Sequence, residues 1–385
     1  MKAIINTKLI LEDGIIFDGA IVFDNDKIID FGESDKVVIP ADAEIIDANG
    51  LYTAPGFIDI HNHGSMDYLF VKEPLKCAEH FLKHGETTVL PTIYYDMNLE
   101  QMLEGADKIK KASKEGAGKI ILGLYMEGPY MSGFGSNQKF IRWNGDIKEE
   151  EFTPLVDTLG DFVKVWAIAP ERVGIENFLG YVRERYPSVV FALGHTRATA
   201  EQIRKVRKYN ITLQTHTQDS GKAKGLAQGV MGAGADEYTL YNPDMYAELI
   251  CDQTGIHVCA DLIKMIVRTK GVERMILITD SMTKSGDYTN CVEDGIGYGP
   301  DINYDYRGYV SGSRLTLDSA VRNMMRHTGY GLCHAVRFAT LNPAKVLGID
   351  ERYGSIEKGK IPNLLIMDDA VNIKKIFLNG EQVNL

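Results

Sequence analysis

Residues 54–64 read APGFIDIHNHG, a buried-strand pattern that ends in two histidines, His61 and His63, one residue apart. On extended backbone, side chains at i and i+2 point the same way, so both imidazoles can reach one ion from the mouth of a barrel or sheet. Imidazole nitrogen is the commonest metal ligand among side chains and suits zinc, iron, nickel and copper. A lone HxH pair occurs often by chance. Its weight here comes from what accompanies it along the chain.

Working outward, apolar strand-like runs recur: GFIDI (56–60), TTVLPT (87–92), KIILGLYM (119–126), KVWAIAP (164–170), VVFALGH (189–195), ITLQTH (211–216), ELICDQ (248–253) and RMILITD (274–280). Most are followed by a polar, periodic segment of helical character, such as 74–83 and 199–208. Eight strands alternating with helices predict an α/β fold, a (β/α)8 TIM barrel over 54–349, with a doubly wound open sheet as the alternative. The first fifty residues read differently. AIINTKLIL, GAIVFD and KIIDFG are separated by turn-forming EDG and NDK, and the last thirty residues, with NLLIMDD and NIKKIFLNGEQV, share that texture. Neither end buries a core alone. Residues 1–53 and 350–385 are therefore expected to build one small antiparallel β-domain, a β-sandwich, with the barrel inserted between them.

The 385 residues exceed the size of most single cores, which agrees with a large domain plus a small one. Hydrophobic content of 44% with 25% charged residues is ordinary for a soluble globular protein. A net charge of −11 argues against nucleic acid or an anionic membrane as partner, while a local basic pocket can still take a small anion. MKAIINTKLILEDG turns polar too early for a signal peptide, and no apolar run reaches the roughly 18 residues of a membrane span. Cys77, Cys251, Cys259, Cys291 and Cys333 show no CxxC spacing and read as free thiols of a reducing cytoplasm.

A barrel carries its catalytic groups at the C-terminal ends of its strands. The first strand ends at His61 and His63, the third at Glu127, the fifth at His195, the sixth at His216 and the eighth at Asp280. Imidazoles and a carboxylate that leave a coordination position open equip a divalent ion, zinc or iron, for hydrolysis. A second carboxylate that shuttles protons completes the equipment for opening an amide, and Asp280 is the candidate. His80 and His84 in EHFLKH lack the glutamate of an HExxH motif and read as helix-end residues on an outer helix. His327 and His334, in helical segments beyond the eighth strand, read as packing residues.

PGFIDIHNHG, MEGPY, GHTRAT, TDSM, SGSRLTL, LNPAKVLG and GSIEKGKIPNLLIMD, in this order, resemble the N-acetylglucosamine-6-phosphate deacetylase family of the amidohydrolase superfamily. The resemblance runs from near residue 45 to near residue 370. It implies a barrel with a small β-sandwich, a homodimer, and one or two divalent ions per subunit. Glu127, from MEGPY, would take the place of the carboxylated lysine of many amidohydrolases. Glu127, His195 and His216 would form one metal site, and His61 and His63 with Glu127 a second. Asp280 would be the acid and base for release of acetate from N-acetylglucosamine 6-phosphate. Alternatives are N-acetylgalactosamine 6-phosphate, another N-acyl amine, or an inactive barrel that serves as a binding protein.

The substrate loops depart from the family pattern. His257 in TGIHV matches a substrate-contacting histidine, but the aspartate of that DGxHV motif is replaced by Thr254. In THTQDSGKAKGLAQG, Asp219 and Ser220 stand where asparagine and alanine are usual. Lys222, with Lys224 as the other choice, stands for the phosphate-gripping arginine; lysine binds phosphate as a point charge without the bidentate fork. Asn137 falls near a family histidine, and Ser311 of SGSRLTL completes the expected substrate-binding set. The stretch 283–309 is expected to be an excursion over the mouth of the site, as a lid or a dimer contact.

Overall fold

The computed structural model describes residues 1–65, 67–133, 142–219, 232–283, 299–304 and 310–383. From the N-terminus the chain lays down β1 (Lys2–Ile10), β2 (Ile15–Phe23), β3 (Ile28–Glu33), β4 (Glu44–Asp47) and β5 (Tyr52–Pro55). Eight more strands follow: β6 (Phe57–Asn62), β7 (Glu86–Tyr94), β8 (Leu124–Glu127), β9 (Val163–Ile168), β10 (Val190–Leu193), β11 (Ile211–Gln214), β12 (Tyr246–Ile250) and β13 (Met275–Ile278). A two-stranded hairpin, β14 (Ile302–Tyr304) with β15 (Val310–Ser313), precedes β16 (Leu364–Met367), β17 (Ile373–Leu378) and β18 (Glu381–Gln382).

Strands β6 to β13 pair in sequence order, each parallel to the next. The seam back to β6 is made just past the end of β13. The Asp280 N–H donates to the His61 carbonyl at 2.9 Å, and the Thr279 hydroxyl donates to the buried Asp59 carboxylate at 2.6 Å. The sheet is thus a nearly closed (β/α)8 barrel rather than an open doubly wound sheet.

Parallel neighbours need crossovers, and helices supply them. Pro74–Lys83 carries proline in its first turn and buries Cys77, Ala78, Phe81 and Leu82 along one side. Leu99–Ala112 and Ala200–Val206 both start on a capping box, Asn98 with Gln101 and Thr199 with Gln202. One strand starts later than its apolar pattern predicts. Residues Gly116–Ile120 form a 3₁₀ turn, and β8 begins only at Leu124. Gly116 there has φ +51°, and a side chain at Gly118 would overlap the Ala112 carbonyl, so the turn lies too close to the preceding helix to extend.

The two ends of the chain share one sheet of order β18-β17-β16-β5-β1-β2-β3, with β4 also on β1. Its direction is mixed rather than antiparallel throughout. The first half of β1 runs parallel to β4 and the second half parallel to β5, with Asn6 at φ +51° between them. The cause is that two successive strands return to the same edge of β1. Period-two alternation on β16 fastens the small domain to the barrel. Leu364 and Ile366 pack with Ile4, Phe23 and Phe377, whereas Leu365 and Met367 join the barrel core. The chain passes between the two bodies at Gly56, whose N–H donates to the Asn363 carbonyl at 2.8 Å; a Cβ there would overlap the side chain of Thr87.

Cys77, Cys251, Cys259 and Cys333 are free thiols. Among the described residues no helix is long and apolar enough to cross a membrane.

Candidate active site

The barrel brings its strand-end residues to one place. His61 lies in β6 with His63 just beyond it, and Glu127 is the last residue of β8. His195, His216 and Asp280 each stand two residues past their strands, β10, β11 and β13. All three have positive φ, +40°, +25° and +47°. Left-handed backbone at residues with side chains costs about 1–3 kcal/mol each and persists where surrounding bonds over-determine it. For Asp280 those bonds run both ways: its N–H to His61, and its carbonyl from the Ser313 N–H at 2.8 Å.

Glu127 divides its two carboxylate oxygens between two pairs of histidines. Its Oε1 lies 2.8 Å from Nε2 of His195 and 3.3 Å from Nε2 of His216. Its Oε2 lies 3.3 Å from Nε2 of His63 and 4.0 Å from Nε2 of His61. Two groups result, His61/His63/Glu127 and Glu127/His195/His216, each with ligand atoms within 4.8 Å of one another and able to hold a metal ion. Asp280 faces the first group, its Oδ1 3.2 Å from His63 and 3.6 Å from His61.

The donor set fits a divalent cation. Nε2 of His61 is wholly buried and has no hydrogen-bond partner, an arrangement that a cation would resolve. Burial would lower the pKa of His63, yet Asp280 and Glu127 beside it raise it to about 9. Burial opposes the same shift at His216, which Glu127 and Asp280 raise to about 10. Despite burial, the histidines hold Glu127 well below, and Asp280 below, the ordinary carboxylate value. Protons held on His63 and His216 supply positive charge beside these acids.

Around this centre lie residues that the strand-end rule overlooked. Glu248, wholly buried in β12, places Oε2 3.2 Å from Nδ1 of His61 and accepts the His216 N–H at 3.3 Å. Its one sequence signal is an acid inside an apolar strand, YAELI. Tyr94 and Tyr95, at the end of β7, set their rings 5.4 Å from His63 and His195, where the same rule applied to the second strand would have found them. Asp252 accepts the main-chain N–H groups of Thr254, Gly255, Ile256 and His257. It orders the turn that carries His257 although the motif position at Thr254 has lost its aspartate.

His257 is buried, with Nδ1 3.3 Å from Oδ2 of Asp219. Against burial, Asp219 raises the His257 pKa, and His257 in turn lowers that of Asp219. Ser311 sits in β15, one residue before Gly312, which packs over the Asp280 carbonyl. Ser220, Lys222, Lys224 and Asn137 lie outside the described residues, as does most of the 283–309 excursion. Its described part is tied to the barrel: Asp301 accepts the Gln253 N–H at 2.7 Å and the Asn323 side-chain amide at 3.2 Å. The helix histidines stand apart from the site. His84 ends the helix that bears His80 and meets Asp318 at 3.3 Å, while His327 lies 2.8 Å from the Asp252 carbonyl.

A parallel barrel with two histidine–carboxylate groups and a facing aspartate at its strand ends has the equipment of a metal-using hydrolase. The chain belongs to the amidohydrolase family, whose profile matches residues 52–383. It is 27% identical to the N-acetylgalactosamine-6-phosphate deacetylase of Escherichia coli O157:H7, with 89% of this chain and 90% of that one covered. Identity is also 27% to the N-acetylglucosamine-6-phosphate deacetylase of Haemophilus influenzae, covering 98% of each. The crystal structure of N-acetylglucosamine-6-phosphate deacetylase from Pasteurella multocida superposes with a TM-score of 0.85 over 99% of both chains at 26% identity. The resemblance carried by MEGPY and TDSM thus extends over nearly the whole chain.

Proposed function

We propose that this protein removes the acetyl group of an N-acetyl amino sugar 6-phosphate by hydrolysis, with N-acetylglucosamine 6-phosphate as the leading substrate. The products are acetate and glucosamine 6-phosphate. The observation that carries the reading is Glu127, set between two pairs of histidines with Asp280 facing one of them. The similarity to deacetylases of both N-acetylglucosamine and N-acetylgalactosamine phosphates supports the reaction and leaves the galactosamine epimer as the second substrate to test.

In this reading His61, His63, Glu127, His195 and His216 hold one or two divalent ions, zinc or iron. When bound, such an ion supplies Lewis acidity toward the acetyl carbonyl and toward water. Asp280 takes the proton of the attacking water and passes it to the leaving amine nitrogen. His257, held by Asp219, faces the substrate, with Ser311, Asn137, Ser220 and Lys222 as further contacts. A homodimer in the cytoplasm completes the proposal; the buried free thiols Cys77 and Cys251 suit a reducing compartment.

The test is acetate release by metal-loaded protein from the two phosphorylated sugars and their unphosphorylated counterparts. Hydrolysis of a sugar phosphate at enzymatic rates is expected. Preference for the neutral sugars would remove the phosphate from the proposal. No acetate from any of the four would favour a binding protein instead.

A further inference from the structure

We infer that Glu248 is a positioning residue that ties the two histidine–carboxylate groups together, fixing the ring of His61 and the main chain of His216. The inference rests on the metal reading proposed above. Glu248 is the acid in the middle of YAELI, and it has no solvent exposure. A carboxylate is costly to bury in a barrel wall unless it is bonded there. Its Oε2 makes two contacts, 3.2 Å to Nδ1 of His61 and 3.3 Å to the main-chain nitrogen of His216. One oxygen therefore touches one member of each group.

Both contacts have chemical consequences. A carboxylate facing Nδ1 favours the tautomer with its proton there, which leaves the lone pair of the ring on Nε2. Nε2 is the His61 atom without a hydrogen-bond partner, turned toward Glu127 and Asp280. Tyr125 lies against the face of the same ring, with centroids 4.5 Å apart, and its hydroxyl is 2.7 Å from that of Thr215. Glu248 thus sets the ring edge-on while Tyr125 sets it face-on. At His216 the bond holds a main chain with φ +25°, a conformation that needs outside support. The carbonyl of Glu248 adds a second tie to that loop by accepting the Thr217 N–H at 2.8 Å.

The experiment compares the full chain with Glu248→Ala and Glu248→Gln, each stripped of metal and titrated with zinc alone. Ions per chain are counted, and far-UV circular dichroism confirms the fold. Glu248→Ala should lose about 10- to 100-fold in affinity for zinc. Glu248→Gln should recover most of it, because its amide carbonyl still accepts from Nδ1–H and from the His216 N–H. Nitrogen NMR of the metal-free wild type should show the His61 proton on Nδ1, and this holds even if the alanine variant does not fold. Wild-type zinc affinity in Glu248→Ala, or a His61 proton on Nε2, overturns the positioning role. Failure of the wild type to bind any zinc would instead overturn the metal reading, with the His61 tautomer still deciding the role of Glu248.

Discussion

The Oδ1 of Asp280 lies 3.2 Å from Nε2 of His63, with its main chain bonded on both sides to His61 and Ser313. A carboxylate so placed can accept a proton at the barrel mouth without moving its backbone. Asp280→Asn keeps the shape and removes the acceptor. Acetate release should fall by about 10²- to 10⁴-fold, with metal content unchanged. Wild-type turnover in this variant would remove Asp280 from proton transfer.

Metal uptake should expel protons. His63 and His216, raised to about 9 and about 10, carry protons at neutral pH in the metal-free protein. A ligating imidazole must be neutral, so each ion should displace roughly one proton at pH 7. Affinity then rises with pH, up to about tenfold per unit for each proton displaced, and levels off above those values. Calorimetry in buffers of different ionisation enthalpy measures the release directly. Proton-neutral uptake at pH 7 would show that the imidazoles are already free.

Asp318 should make stability sensitive to acid. Burial would raise its pKa, but His84, Arg322 and the Thr316 hydroxyl lower it from 3.8 to about 2. The folded value lies below the ordinary one. The group therefore adds stability above pH 3.8 and loses it as pH falls through about 2. Its worth at neutral pH is on the order of 2 kcal/mol. Urea unfolding of wild type and Asp318→Asn should differ by that amount near neutrality, with the gap narrowing as pH is lowered. A gap that stays constant from neutrality into acid would contradict the assignment.

Gly56→Ala should destabilise the junction of the two bodies. The added methyl meets the side chain of the buried, β-branched Thr87 at the point where Gly56 bonds to Asn363. A loss of about 1–3 kcal/mol is expected, measured by thermal unfolding. Thr87→Ala in the same chain should restore part of it. An unchanged melting temperature would mean that the junction relaxes freely.

Local pattern by itself determined the barrel and most of the strand-end side chains that meet at its mouth. Apolar runs such as GFIDI and RMILITD have the length of buried strands, and a strand's end is a local property of the chain, so His61, His63, Glu127, His195, His216 and Asp280 were all legible in order. The union of the two termini was legible too, since neither could bury a core alone. Only the tertiary structure decided how these residues face one another. His61 and Glu248 are 187 positions apart, and no local pattern records that barrel closure sets them 3.2 Å from each other. The mixed direction of the small sheet likewise depends on which edge of β1 the returning strands reach, and Asp252 orders the His257 turn through bonds that spacing does not reveal. Periodicity reports which residues are buried; the partners of a buried charge follow from the closed fold, because desolvation is relieved only by whatever groups closure places within reach.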